Sequence, residues 1–434
     1  MDIRRFSPKK VVQNARVLRP RLRRSLSEYR FYAYLAILGP GIISASSGNE
    51  VSGIATYSTA GADYGYTLLW TFIPMTIFFM VAQEMCVRMG VVTGQGLADL
   101  IREQFGVRWT TLVMMALLLA NAGIIIAEFV GIAQASELFG VPRYASVPIT
   151  ALVIWWLVVR GTPKRVEQVF LLMSLVFVTY IFSAFLARPD WATVGREFVT
   201  PSFKLDLGYL FTVMALIGTT ITPFMQIYIQ SSVVEKGMDK EDLKVARTDA
   251  FLGVIFANVI AAFIVISTAA TLHSRGVKLS DAADAAQALA PVVGEYATLI
   301  FAIGLFGAAM LAMGVLPLAT AYSLSEALGF EKGLSRSFRE APIFLGIFTA
   351  LIVLGAGVAL VPGIPQFKLL LFTQCINGLL LPVLLIAIVS LANNPEIMGD
   401  HRNRLVHNVF AFGTTAIVSV LSLLLIGKTI ADMF

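Results

Sequence analysis

The feature that most limits what this chain can fold into is a succession of long apolar runs, each able to cross the hydrocarbon core of a bilayer as a helix of about 20 residues. Eleven can be marked off, at about 35–57, 66–87, 111–139, 146–159, 169–187, 208–234, 251–272, 296–327, 342–360, 369–392 and 407–427. Lipid offers an unpaired peptide group no partner, so spanning segments are helices or closed barrels, and these runs lack the apolar–polar alternation of a barrel strand. The expected fold class is an all-α polytopic membrane protein with 11 transmembrane helices. With 57% hydrophobic and 14% charged residues, a water-soluble globular domain is excluded.

Charge sets the expected orientation. Ten of the 33 Lys and Arg residues precede the first run. With the N-terminus inside, 25 of them face the cytoplasm and eight lie outside, the asymmetry expected of a multi-pass protein of a plasma membrane (bacterial-type inner membrane) with its C-terminus outside. The basic arm, residues 1–30, fits anionic lipid better than nucleic acid and has no cleavage pattern of a signal peptide after it. No obligate protein partner is evident. Cys86 and Cys375 stand singly in apolar stretches, which leaves no disulfide framework and no CxxC site.

Two of the runs carry helix breakers at their centres. Segment one reads from Gly39-Pro40-Gly41 through Ser44, Ser46, Ser47, Gly48, Asn49 and Glu50 to Ser52-Gly53. Segment six reads Gly218-Thr219-Thr220-Ile221-Thr222-Pro223-Phe224-Met225-Gln226. Pro223 removes a helical hydrogen bond, and neighbouring threonines can satisfy the carbonyls it frees. Paired breaks five helices apart are what a LeuT-like 5+5 inverted repeat produces, with broken helices 1 and 6 meeting at the substrate. The domains expected are the arm (1–30), an inverted-repeat transport domain over 31–392 (helices 1–5 about 35–187, helices 6–10 about 208–392), and a cytoplasmic loop with the eleventh helix over 393–434.

Two acidic residues sit centrally in spans, Glu50 in the first and Glu128 in the third. A carboxylate there costs roughly 2.5–3.5 kcal/mol or more, so it faces a cavity, a cation or a partner. Glu50, beside unwound backbone, is the leading candidate for a cation ligand, with Ser46, Ser47, Asn49, Thr219, Thr222 and Gln226 as further oxygen donors. Hard ions such as Mg²⁺ and Mn²⁺ prefer such donors. Glu128 is read as held protonated, as bonding a polar neighbour, or as carrying a proton along the transport path. Glu84 and Arg88, one helical turn apart, form a local pair or a gate contact.

These residues resemble the NRAMP family of divalent metal transporters. The stretch from Gly39-Pro40-Gly41 to Tyr64-Gly65-Tyr66 and Leu68-Leu69-Trp70 is similar to that family's first helix and the approach to its second. Further matches run through Arg88–Gly94, Leu97–Glu103, Ala127-Glu128 with Gly131, Tyr228–Ser231, and Asn393-Asn394-Pro395 to Met398-Gly399. The resemblance implies a proton-coupled transporter whose first helix carries Asp-Pro-Gly-Asn; those positions here hold Glu50, Val51, Ser52 and Gly53, with Asn49 the available substitute for the second ligand. On helix six an alanine carbonyl, a methionine sulfur and a Pro-His pair correspond to Thr219, Thr222, Pro223 and Phe224, and Ile125 replaces an acidic residue before Ala127-Glu128. Gln374 on helix ten matches a position near the path. The departures resemble the NRAMP-related magnesium transporter branch, which implies Mg²⁺ and/or Mn²⁺ as cargo with no resident cofactor, and leaves proton coupling open.

Three other readings stand beside this one: a proton-coupled Mn²⁺/Fe²⁺ importer, a transporter of the same architecture carrying an amino acid, and a passive channel. Glu50 would repel an amino acid's carboxylate. An enzyme is disfavoured, because HExxH and GxSxG are absent and Ser422 stands where Gly427-Lys428-Thr429 would need a phosphate-loop glycine.

Overall fold

The computed structural model describes residues 39–160, 169, 172, 178–277, 279, 297–334, 336–361 and 366–431. The basic arm and part of the fifth segment (170, 171 and 173–177) lie outside the described residues. Among the described residues of the body that runs from Pro40 onward, every regular element is helical.

The first span is split. Helix α1 (Pro40–Ser46) is followed by one 3₁₀ turn, Ser47–Asn49, and then by α2 (Val51–Tyr64). The second span is α3 (Phe72–Thr93), and a short helix α4 (Leu97–Phe105) precedes the third, α5 (Val107–Leu138). The fourth is α6 (Arg143–Arg160), and α7 (Val178–Leu186) is the described end of the fifth. After a nine-residue helix α8 (Trp191–Val199), capped by the Asp190 side chain, the sixth span is again split, into α9 (Leu207–Thr220) and α10 (Pro223–Glu235). The remaining spans are α11 (Leu243–Thr271), α12 (Ala297–Leu328), α13 (Pro342–Ala359), α14 (Gln366–Asn393) and α15 (Leu405–Ala431).

Among the described residues nine helices are long and apolar enough to cross a membrane, with α9 and α10 counted as one. The first span, described as helices of seven and 14 residues, is not one of the nine. Most boundaries lie within a few residues of those read from the apolar runs. The first span runs to Tyr64 rather than 57 and the second to Thr93 rather than 87, and two starts differ for a physical reason. The second helix begins at Phe72, not 66, because Gly65, at φ +59°, and the turn after it reverse the chain through apolar residues that look like a span. The seventh begins at Leu243, not 251, because two polar turns carrying Lys244 and Arg247 continue the helix beyond its apolar part.

Packing follows the repeat. The seventh span, α11, lies against both halves of the broken first, and the second span, α3, lies against the second half of the broken sixth. These contacts exchange when each helix is renumbered by five. The third and eighth spans, α5 and α12, which the same operation exchanges, pack along one another, and α9 runs against α14. The α1–α11 contact is backbone to backbone: a Cβ on Gly41 would come 2.5 Å from Ala250 N, and one on Gly253 would come 2.4 Å from the Gly41 carbonyl. The Gly41 amide N–H donates to Asp249 Oδ2 at 2.7 Å, so the start of α1 is tied to the seventh span.

Candidate metal site at the two helix breaks

At the first break Glu50 takes an extended backbone (φ −63°, ψ 175°) between the 3₁₀ turn and α2. At the second, Ile221 and Thr222 leave helical geometry and Pro223 starts α10 at its first turn, where a missing N–H costs nothing. The Thr222 hydroxyl donates to the Gly218 and Thr219 carbonyls at 2.8 and 3.0 Å, satisfying the groups that the break frees. Two glycines let the breaks meet. A Cβ on Gly48 would lie 2.9 Å from the Thr219 carbonyl, and one on Gly53 would lie 2.2 Å from the Gly48 carbonyl. The Thr219 hydroxyl donates across the gap to that Gly48 carbonyl at 3.1 Å. Ser44 Oγ donates to the Met225 carbonyl at 2.9 Å and accepts from Gln83 Nε2 at 3.0 Å, which ties α1, α3 and α10 together beside the breaks.

Glu50, Asn49, Thr219, Thr222, Gln226, Gln374 and Glu128 are all buried, so this is a closed site inside the bundle. Glu50 Oε1 accepts from Gln374 Nε2, while Glu50 Oε2 has no hydrogen-bond partner. Gln226 has none for either amide atom, and Ser46 Oγ has none. Leaving a buried polar atom unpaired costs about 1–3 kcal/mol, so such atoms, gathered near two helix ends, mark a place that a polar guest can occupy. Among the described residues no three His, Cys, Asp or Glu side chains form a metal-holding cluster. A cation here would be held by a carboxylate, amides, hydroxyls and freed carbonyls, a donor set that fits a hard ion. By contrast, an apolar cleft of about 560 Å³ between α3, α8 and α11 has no charged residue in its lining.

The geometry shows how three of the expected site residues are held. Gln374 turns its amide nitrogen toward Glu50. Asn49 commits its amide nitrogen to the Ala257 carbonyl at 3.2 Å, because the 3₁₀ turn carries that side chain to α11. Glu128 accepts from the Val51 N–H (3.1 Å), the Ser52 N–H (3.2 Å) and the Ser52 hydroxyl (3.1 Å), which caps the start of α2.

Glu84 and Arg88 pair at 3.0 Å, as their spacing predicts. Sequence reasoning missed their other partners: Arg247 reaches Glu84 at 2.6 Å, and Arg88 also donates to the His401 carbonyl and Asn403 Oδ1. The one available signal for Arg247 was a cation one or two turns ahead of the seventh apolar run.

Known proteins resemble this chain in sequence and in fold. The family model described as natural resistance-associated macrophage protein-like matches residues 41–428. A protein of Deinococcus radiodurans called divalent metal cation transporter MntH is 26% identical, over 84% of this chain and 83% of its own length. A protein of the same name from Agrobacterium fabrum is 29% identical, over 91% of this chain and 88% of its own length. The fold matches a crystal structure of the Eremococcus coleocola manganese transporter with a TM-score of 0.76 at 20% identity, covering 93% of this chain and 88% of that one. It also matches Mhp1, a nucleobase-cation-symport-1 family transporter in a closed conformation, with a TM-score of 0.54 at 15% identity, covering 89% of this chain and 90% of that one. A match over nearly the whole membrane body, with both breaks where the repeat requires them, shows that this chain belongs to the Nramp family.

Proposed function

We propose that this protein is a secondary transporter that moves divalent metal cations, Mg²⁺ and/or Mn²⁺, across a plasma membrane by alternating access. Its relatives' names favour divalent cations as cargo. The observation that carries the reading is Glu50: a buried carboxylate on opened backbone, facing a second break, with one oxygen unpartnered. A hard cation supplies that oxygen with its missing partner, and Gln226, Thr219 and Thr222 add neutral oxygens around it. Thr222 offers hydroxyl where a thioether would favour softer metals, which tilts the site toward ions that retain water.

Coupling to protons by a histidine next to Pro223 is not available to this chain, since Phe224 stands there. The second reading, a proton-coupled importer of Mn²⁺ or Fe²⁺, is favoured by the likeness to the manganese transporter and by Glu128 beside the site. The basic arm is assigned to the cytoplasmic face and the C-terminus to the outside, with 31–392 as the transport domain.

Uptake into proteoliposomes, competed by Mg²⁺, Mn²⁺, Ca²⁺ and Fe²⁺ while internal pH is followed, tests this account. Saturable uptake of a divalent ion that Glu50→Ala abolishes is the expected result. Wild-type rates in that variant would remove Glu50 from the path, and acidification in step with uptake would favour the proton-coupled reading.

A further inference from the structure

Three buried side chains stand in series beside the proposed ion site. Asn377 Nδ2 donates to Gln374 Oε1 at 3.3 Å, and Gln374 Nε2 donates to Glu50 Oε1. Both amides are fully buried. The direction of this relay follows from its end. An ionised carboxylate has only lone pairs to offer, so Gln374 must present its NH₂ to Glu50, which turns its oxygen the other way, where only a donor satisfies it. Asn377, one helical turn along the same face of α14, is that donor. The backbone that carries them is held close to the second break, since a Cβ on Gly218 would come 1.9 Å from the Gln374 carbonyl and one on Gly378 would come 2.5 Å from the Met214 carbonyl. Asn377 Oδ1 itself has no partner, so the residue is spending buried polarity on this one bond.

We infer that Asn377 is a positioning residue for ion selectivity: it holds the Gln374 amide with its nitrogen toward Glu50, which withholds the Gln374 oxygen from the ion and leaves a water in that coordination place. The inference rests on the proposed transport of divalent cations. Mg²⁺ sheds water reluctantly and suffers little from a missing protein ligand, whereas Mn²⁺ gains from an added carbonyl-type oxygen. Freeing the Gln374 amide to turn therefore moves preference toward Mn²⁺.

The test is competition between Mg²⁺ and Mn²⁺ for uptake by purified protein in proteoliposomes, for Asn377→Leu in the wild-type background and in a Gln374→Leu background. Loss of a partner that orients a metal site's inner residues changes affinity roughly 10-fold or more. The Mn²⁺-over-Mg²⁺ ratio is expected to rise by about that factor in the wild-type background and to stay within about twofold in the Gln374→Leu background. Asn377→Ser, which keeps a hydroxyl donor, is expected to restore most of the wild-type ratio, and Asn377→Ala serves for the comparison if the leucine variant does not fold. A ratio unmoved by Asn377→Leu, or moved equally in both backgrounds, overturns the inference while leaving the transport reading intact. Absence of saturable uptake of either ion by the wild-type protein overturns both.

Discussion

Thr222 shows how one side chain can serve the fold and the ion together. Its one O–H is shared between two carbonyls at the break, that of Thr219, which Pro223 leaves open, and that of Gly218, while its oxygen keeps lone pairs that can accept. Thr222→Met is expected to cost stability, since the two carbonyls lose the one O–H they share, at about 1–3 kcal/mol when buried, and to shift uptake from Mg²⁺ toward Mn²⁺ through the added sulfur. A competition profile identical to wild type would count against the selectivity argument. Glu50 could be read from sequence because a lone acid among apolar residues has few structural uses. The turn of the Gln374 amide could not, since it depends on Asn377 and on a carboxylate 324 positions away in the chain.

At the scale of elements, the broken helices depend on groups outside themselves. The start of α2 is buried, and its first two N–H groups are satisfied by Glu128 from the third span. Glu128→Ala leaves both unpaired and is expected to lower the thermal midpoint of the purified protein clearly, at about 1–3 kcal/mol for each group. Glu128→Gln keeps one acceptor oxygen and is expected to lower it less. Equal midpoints for the two variants would show that the cap carries no weight. The breaks themselves were legible, from a run of small and polar residues in one span and Pro223 in the other. The cap was not, because Glu128 and Val51 are brought together by the packing of α5 against α2. The helices α4 and α8 also escaped notice, being nine residues each and too short to register as apolar runs.

Over the whole molecule, alternating access requires one end of the bundle to part while the other stays shut, and the polar ties at the C-terminal end of α3 set what must be broken there. Glu326 on α12 accepts from the Ala98 N–H of α4 (3.1 Å), the Ser231 hydroxyl of α10 (2.7 Å) and Lys332 Nζ (3.1 Å), and Lys332 also pairs with Asp99. The Glu84–Arg88–Arg247 group joins α3 to α11, and Arg88 reaches on to Asn403. Glu326→Ala is expected to favour opening at this end, read as faster thiol labelling of a cysteine placed at Ser46 in a protein whose two buried native cysteines have been replaced. Unchanged labelling would assign these ties to stability alone. The inverted repeat was legible at this scale from the spacing of the breaks, as was the Glu84–Arg88 pair one helical turn apart, whereas the ties from Arg247, Asn403, Ala98 and Ser231 were not, because they join elements far apart in sequence.

The most direct measurement is equilibrium binding of Mn²⁺ and Mg²⁺ to the purified wild-type protein and to Glu50→Gln, which keeps the size of the side chain and its partner Gln374 but removes the charge. Saturable binding by the wild type, lost in Glu50→Gln while its thermal midpoint holds, is the result predicted here. Undiminished binding by a folded Glu50→Gln protein would contradict it.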